Sequence, residues 1–189
     1  MASTTTTHKA VNGLEDRPTV DDPTGAARNA DVVLGAAVIA MGLFAGLFYT
    51  FTTAVMPGLT AAEDGTLVDA MQRMVDNPVF PLTFLAAGAL ATVALLQARS
   101  SGAAEATGWI VAALALYAVT AVITFAIHLP LNEELKQAGD LAGIEDLAAV
   151  RDDFVTPWVA WDIVRTLAST AAFGTLAWAL VLRGRRGPA

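Results

Sequence analysis

Residues 32–55, VVLGAAVIAMGLFAGLFYTFTTAV, decide the fold. No charged side chain interrupts this run, which as a helix extends about 36 Å, enough to cross the hydrocarbon core of a bilayer. Gly42 and Gly46 lie four residues apart, so one face of the helix can approach a neighbour closely. Met56-Pro57-Gly58 follows and is expected to end the helix, because proline carries no amide hydrogen to extend it.

Working outward, three further apolar runs cover about 79–96, 109–129 and 158–182. The connection from Leu59 to Asp76 repeats Leu67, Ala70, Met71 and Met74 at helical spacing, which predicts an interfacial helix. Asn77-Pro78 marks a helix start, with Asn capping free amides and Pro suited to the first turn. Pro130 is expected to close the third span. Residues 131–154 carry two apolar stripes, Leu131/Leu135/Ala138 and Ile144/Leu147/Val150/Phe154, separated by Gly139 and Gly143. They predict two short amphipathic helices on the membrane surface. The fold class is therefore all-α: an integral membrane four-helix bundle with short amphipathic surface helices in the two outer connections. Residues 1–30, rich in Thr, Asp, Pro and Gly, read as a disordered tail, 31–183 as the transmembrane domain, and 184–189 as a basic tail.

The totals narrow the function. Among 189 residues, 55% are hydrophobic, none is cysteine, two are histidine, and the net charge is −7. Without cysteine there is no disulfide, thiolate metal site or cysteine nucleophile. The negative charge argues against a nucleic-acid partner. Lys9, Arg17, Arg28, Arg99, Arg183, Arg185 and Arg186 fall on one side of the four spans. The other side has Arg73, Lys136 and Arg151 amid an excess of acidic residues. By the positive-inside rule both termini are expected in the cytoplasm. The Arg- and Ala-rich, Lys-poor composition suggests a bacterial plasma membrane.

Two charges interrupt the fourth span. Arg165 lies roughly 10 Å along the helix from Trp158, and an ionised group at that depth must face the bundle interior. Asp162 is spaced i, i+3 from it, close enough to pair. Trp158 and Trp161 stand at helical spacings from Arg165. The third span ends in His128, with Asn132 one turn on, and Asn77 and Gln72 belong to the same side of the membrane. Polar residues from separate segments thus converge at the outer end of the bundle.

The order Gly46-Leu47-Phe48-Tyr49-Thr50-Phe51, Val55-Met56-Pro57-Gly58-Leu59, Met71-Gln72, Asn77-Pro78-Val79-Phe80 and Leu129-Pro130-Leu131-Asn132, then Phe154, Trp158, Trp161, Arg165 and Thr166, resembles the anthrone-oxygenase-like family. The resemblance covers about 33–182. It implies a small four-helix membrane protein, of a family in which a few members oxidise anthrones to anthraquinones without an obvious cofactor. This chain departs from the family pattern, which usually has asparagine at the positions of His128 and Asp162. The segment between Gln72 and Asn77 is also shorter and lacks an asparagine usually found there.

With that substrate, His128 is the candidate base, Asp162 its orienting partner, and Arg165 the positive group for a developing oxyanion. Gln72 and Asn132 are candidate hydrogen-bond donors, Asn77 and Trp158 complete the substrate-binding set, and Trp161 can stack on a flat ring system. No cofactor is expected, since an anthrone anion reacts with O2 directly; a single metal ion at His128 and Asp162 is the weaker option. The expected partners are a hydrophobic small molecule, O2 and lipid, with a homo-oligomer left open. The non-enzymatic alternative is a binding or assembly module for a quinone, a lipid headgroup or a partner subunit. Ion conduction is disfavoured, because the inner halves of the spans are almost without polar residues.

Overall fold

The structure, a computed structural model, describes residues 23–75 and 77–185. Within them the chain is helical, with no strand among the described residues. Helix α1 is Pro23–Thr50 and runs on through a π-helical turn, Phe51–Val55, into Met56–Thr60. Helix α2 is Asp64–Met74 and α3 is Val79–Ser100. Helix α4 is Ala104–Ile123, again continued through a π turn, Thr124–His128, into Leu129–Gln137. A short 3-10 turn, Leu141–Gly143, leads to α5, Leu147–Arg185. Helices α1, α3, α4 and α5 are each long and apolar enough to cross a membrane.

The four pack in a ring in the order α1–α3–α4–α5. Large side chains such as Leu34, Met41, Phe44, Ile110 and Leu176 fill the centre, and α3 meets them with small residues. On α3, Ala87, Ala91, Ala94 and Ala98 are buried at helical spacing, while Leu82, Leu85, Val93 and Leu96 are exposed. A water-soluble bundle would place them the other way round. In lipid, leucine gains nothing by leaving the tails, so small residues take the interface and let the helices come close. Tyr117 shows how close: it lies against Gly88, where an added Cβ would be 2.7 Å from its hydroxyl, and donates to the Phe84 carbonyl at 3.0 Å. Of the pair Gly42 and Gly46, only Gly42 is packed, against Phe173; Gly46 faces open space.

The described chain ends lie together, joined by an ion pair from Arg183 Nε to Asp31 Oδ1 at 2.7 Å. The opposite end is capped by α2. Leu67, Val68 and Met71 of α2 are buried in a second core with Met56, Leu135, Phe154 and Trp158. Arg151 fastens this cap, donating from Nη2 to the Thr60 carbonyl at 2.6 Å and from Nη1 to Asp64 at 3.1 Å.

Proline does not end these helices. Helix α1 passes through Pro57, α4 through Pro130, and α5 contains Pro157. In α1 and α4 the residue before the proline bonds to the carbonyl five positions back, Met56 to Phe51 and Leu129 to Thr124. The wider π turn moves the carbonyls away from the proline ring and leaves the helix axis continuous. The stops expected at Pro57 and Pro130 are therefore corrected. The second connection likewise holds no separate surface helices: its two stripes form the end of α4 and the start of α5, parted by Gly139 at a φ of 81°. Helix α1 also begins earlier than the apolar pattern suggested, so residues 23–30 are helical rather than tail; residues 1–22 and 186–189 lie outside the described residues.

Candidate functional site

At the capped end, below α2, a cavity of about 350 Å³ separates the helices. Helix α1 contributes Phe48 and Phe51, α3 Phe80 and Phe84, α4 His128 and Asn132, and α5 Trp158 and Arg165. Its rim includes Leu85 and Phe125, 64% and 60% exposed on the lateral surface, so the cavity opens sideways between α3 and α4.

The polar groups enter through local backbone geometry. His128 is the last residue of the α4 π turn and is buried. Its Nδ1 stands 3.4 Å from the Ile123 carbonyl, five residues back. A carbonyl only accepts, so Nδ1 carries the proton in a neutral ring and Nε2 bears the lone pair. That Nε2 is buried without a hydrogen-bond partner among the described residues. Trp158 meets the imidazole edge to face at 5.1 Å, and its indole N–H donates to Asn132 Oδ1 at 3.1 Å.

Arg165 and Asp162 are both buried and paired. Arg165 donates from Nη2 at 2.6 Å and Nε at 3.1 Å to the same oxygen, Asp162 Oδ1. Asp162 Oδ2 accepts from Thr52 Oγ1 at 2.7 Å, and Thr52 in turn lies 2.8 Å from Thr166 Oγ1. Since Thr52 has one hydroxyl proton and gives it to Asp162, Thr166 donates to Thr52. The guanidinium also stacks over the Phe48 ring at 4.0 Å, a cation–π contact suited to a charge at membrane depth.

The predicted residues thus divide. His128, Asn132, Trp158 and Arg165 line the cavity. Asp162 stands behind Arg165, outside the lining. It bonds to Arg165 and Thr52, not to His128, so the expected orienting contact is replaced by the carbonyl of Ile123, just before the π turn. Gln72 ties α2 to the end of α4, donating to the carbonyls of Leu135 at 2.8 Å and Gly139 at 3.2 Å. Asn77 accepts from the Val79 amide at 3.0 Å and caps α3. Trp161 is 42% exposed on the outside of α5. Among the described residues no group of three or more His, Asp or Glu side chains is placed to hold a metal ion. Sequence reasoning missed Thr52. The signal was available only as a threonine on the first span, facing the only carboxylate in the fourth.

Fold and site together define a class: a four-helix membrane-type bundle with a laterally open, aromatic-walled cavity that holds one histidine and one arginine. The sequence family described as anthrone oxygenase matches residues 70–175, more than half of the chain, and the protein belongs to that family. No curated protein and no solved structure matches the chain.

Proposed function

We propose that this protein oxidises a flat, hydrophobic aromatic ketone of the anthrone type with O2, and that the cavity beneath α2 is where it does so. The observation carrying this reading is that His128, whose buried Nε2 has no hydrogen-bond partner among the described residues, and Arg165 line one aromatic-walled cavity of about 350 Å³. That volume lies within the range of small-molecule sites, and such sites usually combine apolar walls with few polar groups. The same cavity speaks against a pure assembly module, whose Asp162–Arg165 pair would be packed without adjoining space. Apolar substrate dissolved in the bilayer reaches the site through the lateral mouth between α3 and α4.

His128 Nε2 removes one proton from the ring CH2 that the ketone acidifies, and the C–H electron pair spreads onto the ketone oxygen. Arg165 faces the resulting enolate oxygen and stabilises its charge. The anion passes one electron to O2, and the two radicals join as a C–O bond, giving a hydroperoxide anion. The proton held by His128 completes the hydroperoxide. Loss of the remaining C–H proton with cleavage of the O–O bond releases water and leaves a second ketone. One substrate and one O2 give one quinone and one water, so no external reductant is consumed. Asn132 and Trp158 hold the imidazole in place. The Lys/Arg distribution supports a cytoplasmic location for both chain ends, with the cavity at the outer face, and the Arg- and Ala-rich, Lys-poor composition supports a bacterial plasma membrane.

Oxygen uptake by the detergent-solubilised protein with a simple anthrone, with and without chelator, tests the reading. The expected result is chelator-insensitive uptake with one O2 consumed per quinone formed. Tight quinone binding without uptake above the uncatalysed rate would make the protein a binding module.

A further inference from the structure

Threonines within lipid-facing helices commonly return the hydroxyl to their own backbone, since the carbonyl one turn back is the nearest acceptor. Thr50 and Thr53 do so, donating to Gly46 and Tyr49, and Thr83, Thr120 and Thr124 follow the same pattern. Thr52, between Thr50 and Thr53 and inside the π turn, does not. Its hydroxyl crosses to α5 and joins Asp162 and Thr166. The result is a directed chain, Thr166 to Thr52 to Asp162, with Arg165 held from the other side. Each acceptor oxygen of Asp162 is thereby taken by a different helix, one by α5 and one by α1.

This arrangement fixes a rotation. With Nε and Nη2 engaged on Asp162 Oδ1, the guanidinium plane is set by the carboxylate, and Nη1 is the nitrogen that makes no hydrogen bond among the described residues. Phe48 covers one face of that plane at 4.0 Å. Arg165 lines the cavity, and Nη1 keeps both of its N–H groups to offer there. A carboxylate held by Arg165 alone could swing with it. The Thr52 bond anchors the carboxylate to a second helix.

We propose that Thr52 is a positioning residue that locks the Asp162–Arg165 pair so that Arg165 presents one N–H donor to a ligand carbonyl oxygen in the cavity. The inference rests on the aromatic-ketone reading above and deepens it, because it names the ligand feature recognised: a carbonyl oxygen on a flat ring system. Thr52 lies outside the family-matched segment, residues 70–175.

The test is ligand binding, which needs no turnover. Anthraquinone, a planar diketone, and anthracene, the same ring frame without carbonyls, are titrated against the solubilised protein by quenching of tryptophan emission. Wild type should bind anthraquinone more tightly than anthracene. Thr52→Val should weaken anthraquinone binding about tenfold, the scale of one charge-assisted hydrogen bond, and leave anthracene within about twofold. Thr52→Ser should behave as wild type, and Arg165→Met should bring anthraquinone down to the anthracene level. Unchanged anthraquinone binding in Thr52→Val overturns the proposal. Equal loss of both ligands, or failure of Thr52→Ser to restore the preference, also overturns it, because the threonine would then be holding the bundle rather than the donor. Absence of oxygen uptake in wild type would defeat the oxidation reading while leaving this comparison intact.

Discussion

His128 stands edge-on to Trp158, with ring centroids 5.1 Å apart and planes at 80°, while the Trp158 indole N–H is committed to Asn132, one turn beyond His128 on α4. The two aromatic rings therefore hold each other. The indole supplies a wall, its N–H is withheld from any ligand, and the imidazole keeps Nε2 as its free nitrogen. The orientation of the histidine is thus set by a tryptophan and a backbone carbonyl rather than by a carboxylate.

His128→Ala should lower oxygen uptake by a factor of about 10² to 10⁴, the usual contribution of a placed general base, with little change in melting temperature. Added imidazole should restore part of the rate. His128→Asn, which keeps a polar side chain of similar size, should be as slow as His128→Ala. Full turnover in either variant would remove His128 from the chemistry.

Gly88→Ala should destabilise the bundle by about 1–3 kcal/mol, because its new methyl would come within 2.7 to 3.0 Å of Tyr117 atoms and displace a ring whose hydroxyl bonds to Phe84. Gly46→Ala has nothing within 4 Å and should be neutral or stabilising by up to about 1 kcal/mol, the helix-propensity difference. Thermal melting in one detergent compares the two. An equal effect from both would mean that α3 and α4 are not in close contact.

Phe125→Trp enlarges a side chain at the lateral rim without touching His128 or Arg165 directly. If substrate enters between α3 and α4, KM should rise several-fold with kcat unchanged. A size change at Trp109, exposed on α4 and remote from the rim, such as Trp109→Phe, should do nothing. A kcat loss in Phe125→Trp with normal KM would place entry elsewhere.

Because the chain has no cysteine, single substitutions report orientation directly. Ser101→Cys, in the turn joining α3 and α4, should react with a membrane-impermeant thiol reagent only after the cells are opened. Glu145→Cys, beside the cap, should react in intact cells. The reverse pattern would invert the proposed orientation.

The spans were legible in the sequence because a bilayer leaves few options. An uncharged run of such length must satisfy its own backbone hydrogen bonds, and helix is the form in which a single segment can do so. Val32 to Val55 needed no partner to be read that way. Arg165 and Asp162 were equally decisive, since the cost of exposing either to lipid turns both inward whatever surrounds them. The same logic brought His128, Asn132, Trp158 and Arg165 to one end of the bundle.

What tertiary structure decided is which neighbours these side chains meet. Two π turns carry α1 and α4 through their prolines, and each extra residue rotates the helix face after it, which no regular spacing rule anticipates. Thr52 and His128 lie within those turns, where Thr52 meets Asp162 and His128 meets Trp158, so the carboxylate serves the arginine instead of the histidine. Trp161 illustrates the limit from the other side. Its spacing fits both Trp158 and Arg165, yet it is 42% exposed while Trp158, Asp162 and Arg165 belong to the buried arc of α5. Sequence sets the depth of a residue along a span through its rise per residue; only packing against the other helices fixes which side of that arc becomes the wall of a cavity.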